Sequence, residues 1–284
     1  GYIARELKIG KTSVLVNSTG IIGKKLDLTK IKQAIPGLVK GLSGAGIDKA
    51  KKAIMTTDTF SKEATLSLKI GGKQVHICGI AKGAGMIAPN MATTLCFILT
   101  DAKVTKQALD KALTAAVEKS FNCITVDGCM STNDTVLVLA NGVAGNKTIS
   151  GGRNLQDFSA ALDILCLDLA KMVIKDAEGA TKFIQIDVLQ AKDSLEARKV
   201  AVSIANSVLF KTAVFGENRN FGRVAQAVGA SGIRIKEECL KIELGSLRGK
   251  QVKLAVKLSR GKAKATVFTS DLTCEYIKIN AAYN

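Results

Sequence analysis

The apolar residues Leu155, Phe158, Leu162, Leu165, Leu169 and Met172 recur at steps of three and four. That spacing puts them on one face of a helix, which needs a wide apolar surface to lie against. Sheet supplies such a surface here. Residues 63–70 alternate, with Ala64, Leu66, Leu68 and Ile70 on one side, and Gly71-Gly72 is a hairpin turn into 74–80. Further strands are expected at 13–16, 93–100, 123–126, 135–140 and 183–190, and from 233 onward the pattern is mainly strands joined by Gly245 and Gly261. Helices are expected at 28–35, ended by Pro36-Gly37, at 105–121 and at 195–209. Strands and helices come in blocks rather than in βαβ alternation. This predicts an α+β fold, a layered sandwich of mixed or antiparallel sheets covered by helices, with the long stripe in its core.

A chain of 284 residues, 47% of them hydrophobic, can bury one or two sizeable cores. No apolar run approaches the roughly 20 residues that a bilayer requires, and residues 1–11 lack the marks of a signal peptide, so a cytoplasmic protein without a membrane partner is expected. The chain opens abruptly on Gly1-Tyr2-Ile3-Ala4, and a preceding segment is expected. The net charge of +17 admits nucleic acid, an acidic surface or small anions as partners. Its lysines are scattered, however. The densest stretch, 248–264, alternates with Val252, Leu254, Val256 and Leu258 as the wet face of a strand does, and aromatics for base stacking are scarce. The seven cysteines form no CxxC pair and read as free, mostly buried thiols of a reducing compartment. The lone histidine, His76, has only Cys78 beside it, so no metal site is expected.

His76 also lies in an expected strand, away from any nucleophile elbow, which leaves no Ser-His-Asp triad. Lys82-Gly83-Ala84-Gly85 lacks the spacing and ending of a phosphate loop. A threonine hydroxyl can dispense with histidine if the threonine is N-terminal, because its own α-amine, of pKa ~7.7–8.0, then takes the proton. Thr93 fits that role if the chain is cut before it. On spacing alone it is an ordinary β-branched residue opening a strand.

The segment KGAGMIAPNMATTL at 82–95 resembles the self-cleavage segment of the bifunctional ornithine acetyltransferase and glutamate N-acetyltransferase family of arginine biosynthesis. The likeness continues in the family's order through STGIIG at 18–23, IMTTDT at 54–59, ITVDG at 124–128, STNDT at 131–135, DAEGATK at 176–182, KTAVFG at 211–216, NFGR at 220–223, DLT at 271–273 and INA at 279–281. The resemblance implies an N-terminal-nucleophile hydrolase-like architecture. It also implies self-cleavage between Ala92 and Thr93, giving an α chain of residues 1–92 and a β chain of 93–284. An acetyl group would pass from N-acetylornithine, and in bifunctional members also from acetyl-CoA, to Thr93 and on to glutamate, with ornithine and N-acetylglutamate as products and no bound cofactor. Thr19 and Gly20 match the oxyanion hole. Thr56, Lys82, Glu178 and Asn280 match substrate contacts, with Thr57 an alternative to Thr56. Assembly of αβ units into a higher homo-oligomer is implied as well. The rival readings are an aminopeptidase of the same superfamily and a basic nucleic-acid-binding protein.

Overall fold

The computed structural model describes residues 1–88 and 94–282. Three helices come first: α1 (Tyr2–Glu6), α2 (Leu28–Lys40) and α3 (Ile47–Ala53). The Asp27 side chain caps α2 by accepting from the amides of Thr29 and Lys30. Pro36 does not end this helix as expected. Lys32 and Pro36 both face solvent, so water can reach the carbonyl that a proline leaves without its amide partner. Residues 13–16 form no strand either. Residues 11–13 make a 3-10 turn, Val16 is 86% exposed, and among the described residues no strand pairs with this segment.

The first sheet begins with the expected hairpin, β1 (Lys62–Ile70) against β2 (Lys73–Lys82), antiparallel and in register from Ile70–Lys73 to Lys62–Ala81. Strand β3 (Leu95–Thr100) pairs antiparallel with β2, and helix α4 (Lys106–Lys119) then carries the chain over to β4 (Thr135–Ala140), parallel to β3. Residues 123–126 make only a single bridge, Ile124 to Phe268, in place of the expected strand. Helix α5 (Gly152–Lys175) buries Phe158, Leu162, Leu165 and Leu169 against β1 and β2, so the stripe is core. Burying a side chain of that size contributes about 1.5–3 kcal/mol.

The second sheet runs β6-β7-β5-β8, from β5 (Phe183–Ala191), β6 (Lys241–Leu244), β7 (Gln251–Lys257) and β8 (Ala263–Ser270). It is mixed, because β5 runs parallel to β7 and antiparallel to β8. Helices α6 (Ser194–Ala205), α7 (Val208–Phe215) and α8 (Phe221–Ala230) supply its second apolar core. The helix expected over 195–209 breaks at Asn206-Ser207, where the Ser207 hydroxyl accepts from the Phe210 amide and starts α7. The strands after 233 give way to a last helix, α9 (Cys274–Ala281), capped by Thr273. The fold is α+β, two mixed sheets with helices packed on them. Of the cysteines, Cys96 and Cys166 are buried, while Cys129 and Cys274 are exposed against the expectation of burial; all seven are free thiols.

Gly79 in β2 lies directly under α5. A Cβ there would sit 2.8 Å from a Leu169 methyl and 2.9 Å from a Leu165 methyl. Gly79→Val is therefore expected to destabilise the chain by about 1–3 kcal/mol, measured by urea unfolding.

Candidate functional site

Residues far apart in the chain meet in one cleft of about 460 Å³. Thr19 and Gly20 come from the segment before α2, Thr56 and Thr57 from the turn after α3, Lys82 from the end of β2, Glu178 from the loop after α5, and Asn280 from α9. Residues 131–133, which precede β4, complete the wall. The structure thus brings six of the expected site residues together. Ala92 and Thr93 lie outside the described residues; Thr94, next along, leads into β3.

Beneath the cleft lies a group of charges to which sequence reasoning assigned no part. Lys62, with a fully buried side chain, holds Asp58 at 2.6 Å and Asp176 at 2.5 Å. Each carboxylate has further donors. Asp58 accepts from the amides of Gly83 at 2.7 Å and Thr56 at 3.1 Å. Asp176 accepts from the Thr59 amide at 3.0 Å and from the Thr59 hydroxyl. Burial would raise the pKa of Asp58, but the Gly83 amide, the Lys62 ammonium and the Thr56 amide together hold it below the ordinary carboxylate value. The only sequence signal was an acidic residue set among small or hydroxyl residues in two of the motifs. Lys62 gave none, since it looks like any strand-end lysine.

Lys82 is 3% exposed and donates to the Thr56 hydroxyl at 3.0 Å. Burial depresses its pKa; Asp58, Asp134 and Glu178 partly restore it, while Lys62 opposes them. It is a buried ammonium facing a cleft, not a solvated surface group. Across the cleft, Asn280 Nδ2 donates to Glu178 Oε2 at 3.0 Å, and the Glu178 amide donates to the Ala84 carbonyl at 3.0 Å. The Glu178 carboxylate lies so near the Gly85 backbone that a Cβ there would overlap it. Glycine at 85 is what admits the carboxylate.

Asp134 accepts from the Thr94 amide at 2.9 Å through Oδ1, while its buried Oδ2 has no hydrogen-bond partner among the described residues. Burial raises it to about 6, against the pull of the Thr94 amide and Lys82. His76 stands elsewhere, on an open depression, with Nδ1 2.8 Å from Asp101. Among the described residues no cluster of three or more His, Cys, Asp or Glu is placed to hold a metal, and no helix is long and apolar enough to cross a membrane.

A cleft that sets a buried ammonium and a carboxylate beside several hydroxyls, on an α+β scaffold, is suited to a small ligand carrying both charges. The chain matches the ArgJ family over residues 1–284. It is 44% identical to the arginine biosynthesis bifunctional protein ArgJ of Geobacter sulfurreducens, over 99% of this chain and 77% of that one. It is 41% identical to the glutamate N-acetyltransferase of Methanocaldococcus jannaschii, with the same coverage. The crystal structure of the ArgJ protein of Bacillus halodurans superposes with a TM-score of 0.63 at 37% identity, over 66% of this chain and 98% of that one. The chain belongs to the ArgJ family, and it is an acetyl-transferring enzyme of arginine biosynthesis. These relatives favour neither the peptidase nor the nucleic-acid reading.

Two outcomes follow from the charges. Lys62→Met leaves two buried carboxylates uncompensated and is expected to cost about 3–5 kcal/mol in urea unfolding. Asp134 is raised in the folded state, so its contribution to stability is complete below its unfolded pKa and is lost as pH rises through about 6. Asp134→Asn should therefore raise the thermal midpoint relative to wild type at pH 7 and not at pH 4.

Proposed function

We propose that the chain transfers acetyl from N-acetylornithine to glutamate through an acetyl ester on Thr93, after cutting itself between Ala92 and Thr93. The observation that carries this reading is the meeting of Thr19, Gly20, Thr56, Lys82, Glu178 and Asn280 in one cleft, beside the strand that begins just after Thr93.

In the cleavage step the Thr93 hydroxyl oxygen bonds to the Ala92 carbonyl carbon, the bond from that carbon to the Thr93 nitrogen breaks, and the hydroxyl proton ends on that nitrogen. Water then hydrolyses the ester. The Ala92 carboxylate, the Thr93 hydroxyl and a free α-amine result, and the processed protein comprises an α chain of residues 1–92 and a β chain of 93–284. The amine then serves as the base for transfer. It takes the hydroxyl proton as the oxygen attacks the acetyl carbonyl of N-acetylornithine, and returns it to the departing ornithine nitrogen. Glutamate reverses the sequence and leaves as N-acetylglutamate. Thr19 and Gly20 stabilise the tetrahedral oxyanion in each step, a contribution of about 2.7–4 kcal/mol for a single donor in a comparable site.

Lys82 pairs with a substrate carboxylate and Glu178 with a substrate ammonium, which sorts ligands by charge at both ends. Asn280 orients the Glu178 carboxylate. Acetyl-CoA serves as a second donor, consistent with the word bifunctional in the relatives' names. No bound cofactor takes part. The α and β chains stay together, assemble further with other copies, and work in the cytoplasm.

Thr93→Ala is expected to leave one uncut band on a denaturing gel and to abolish transfer, whereas the wild type yields a fragment whose N-terminal sequence begins at Thr93. A wild-type protein that remains uncut yet transfers acetyl would overturn the reading. Glu178→Gln should raise KM for N-acetylornithine about tenfold or more, the equivalent of losing a charge-assisted hydrogen bond of about 1.5–3 kcal/mol.

A further inference from the structure

The self-cleavage reading leaves open what holds the cut segment in a reactive arrangement before any free amine exists. Residues 125–135 touch the described backbone on both sides of it. Upstream, Asp127 accepts from the Met86 amide at 2.7 Å and from the Ile87 amide at 3.1 Å. The Ile87 carbonyl in turn accepts from the Val126 amide at 2.8 Å and the Thr125 hydroxyl at 3.0 Å. Downstream, Asp134 takes the Thr94 amide at 2.9 Å, and the Thr135 amide donates to the Thr94 carbonyl at 2.9 Å. Between these grips, Asn133 Nδ2 donates to the Ser18 carbonyl at 2.9 Å, in the turn that carries Thr19 and Gly20.

Each contact falls where misplacement would matter. Met86 has φ +56°, a left-handed conformation that a methionine adopts only where its surroundings impose it, and the Asp127 carboxylate holds its amide there. Among the described residues, Val14 bonds back only to Lys11, and the Asn133 bond is what ties residues 15–26 to the rest of the structure. Asp134 keeps Oδ2 buried and, among the described residues, unpartnered, an arrangement that costs stability and that a loop serving only to connect α4 and β4 has no reason to keep. The loop itself is anchored from behind, since the buried Lys211 ammonium donates to the Val126 carbonyl and, at 3.2 Å, to the Thr269 hydroxyl.

We infer that residues 125–135 act as a jig: Asp127 fixes the chain before the cleavage segment, Asp134 fixes the chain after it, and Asn133 fixes the oxyanion turn against both. The inference rests on the self-cleavage reading and adds three positioning residues to it. Asp127 and Asp134 stand outside the lining of the cleft, and Asn133, in its wall, acts here through the Ser18 carbonyl. Their work is to set the attacked carbonyl, the attacking hydroxyl and the oxyanion donors in register, and a misplacement of about 1 Å in such an arrangement costs roughly 100-fold in rate.

The test follows the appearance of the Thr93-initiated fragment in freshly synthesised wild type, Asp134→Ala, Asp134→Asn, Asn133→Ala and Thr93→Ala chains, with the thermal midpoint of each. Asp134→Ala should fold and cut roughly 100-fold more slowly. Asp134→Asn keeps an oxygen acceptor for the Thr94 amide and should recover to within about tenfold of wild type. Asn133→Ala, once processed, should lose kcat for transfer with KM for N-acetylornithine unchanged, because the oxyanion turn acts on the transition state. A folded Asp134→Ala chain that cuts at the wild-type rate overturns the inference. So does an Asn133→Ala enzyme with unaltered kcat, and this second readout decides the matter if Asp134→Ala fails to fold. A wild-type chain that stays uncut alongside Thr93→Ala overturns instead the self-cleavage reading on which the inference rests.

Discussion

The site depends on a buried lysine. Lys62 begins β1 and places its ammonium between Asp58 and Asp176, which joins the turn after α3 to the end of α5 beneath the cleft. Two charges taken out of water cost several kcal/mol each, and such a group is tolerated only when every partner is present. Here the partners also hold the walls of the site. Asp58 fixes the amides of Thr56 and Gly83, and Asp176 lies two residues before Glu178. Thr56, Lys82 and Glu178 thus take their places from one ion cluster, and loss of the cluster would loosen the ligand site as well as the fold.

A second constraint is electrostatic. In a chain of net charge +17, an exposed lysine says little about function. A lysine removed from water is different, because its surroundings must bear the cost of keeping it charged. Lys82 is such a group, with Asp58, Asp134 and Glu178 offsetting its burial while Lys62 adds to the cost. A ligand carboxylate would supply the missing counter-charge. Lys211 is the contrasting case. Burial lowers it to about 8, Asp127 and Asp271 only partly offset that, and its hydrogen bonds go to neutral oxygens, so it serves structure.

Much of the fold could be read from local pattern. The 63–80 hairpin, the 135–140 and 183–190 strands and the long core helix all show periodicity that one buried face imposes. The misreadings came where tertiary context overrode the local signal. Residues 13–16 look like a strand but have none to pair with, Pro36 survives in an exposed helix, and a serine cap divides the expected 195–209 helix. The candidate cleft was legible only through motifs, for Thr19, Thr56 and Asn280 carry no chemical signal by themselves. Lys62 was invisible, because a strand-end lysine reads the same whether it is buried or wet. Asn133 and Asp134 stood inside a recognised motif, yet what they do depends on contacts with Ser18 and Thr94 that spacing cannot express.

In the proposed function, acetyl rests on Thr93 between donor and acceptor. The most direct measurement is mass spectrometry of the processed protein, quenched after mixing with N-acetylornithine without glutamate. One acetyl group is expected on the N-terminal residue of the chain that begins at Thr93, removed when glutamate is added. Transfer that proceeds while that residue stays unmodified, or an acetyl group found on another side chain at a competent rate, would contradict it.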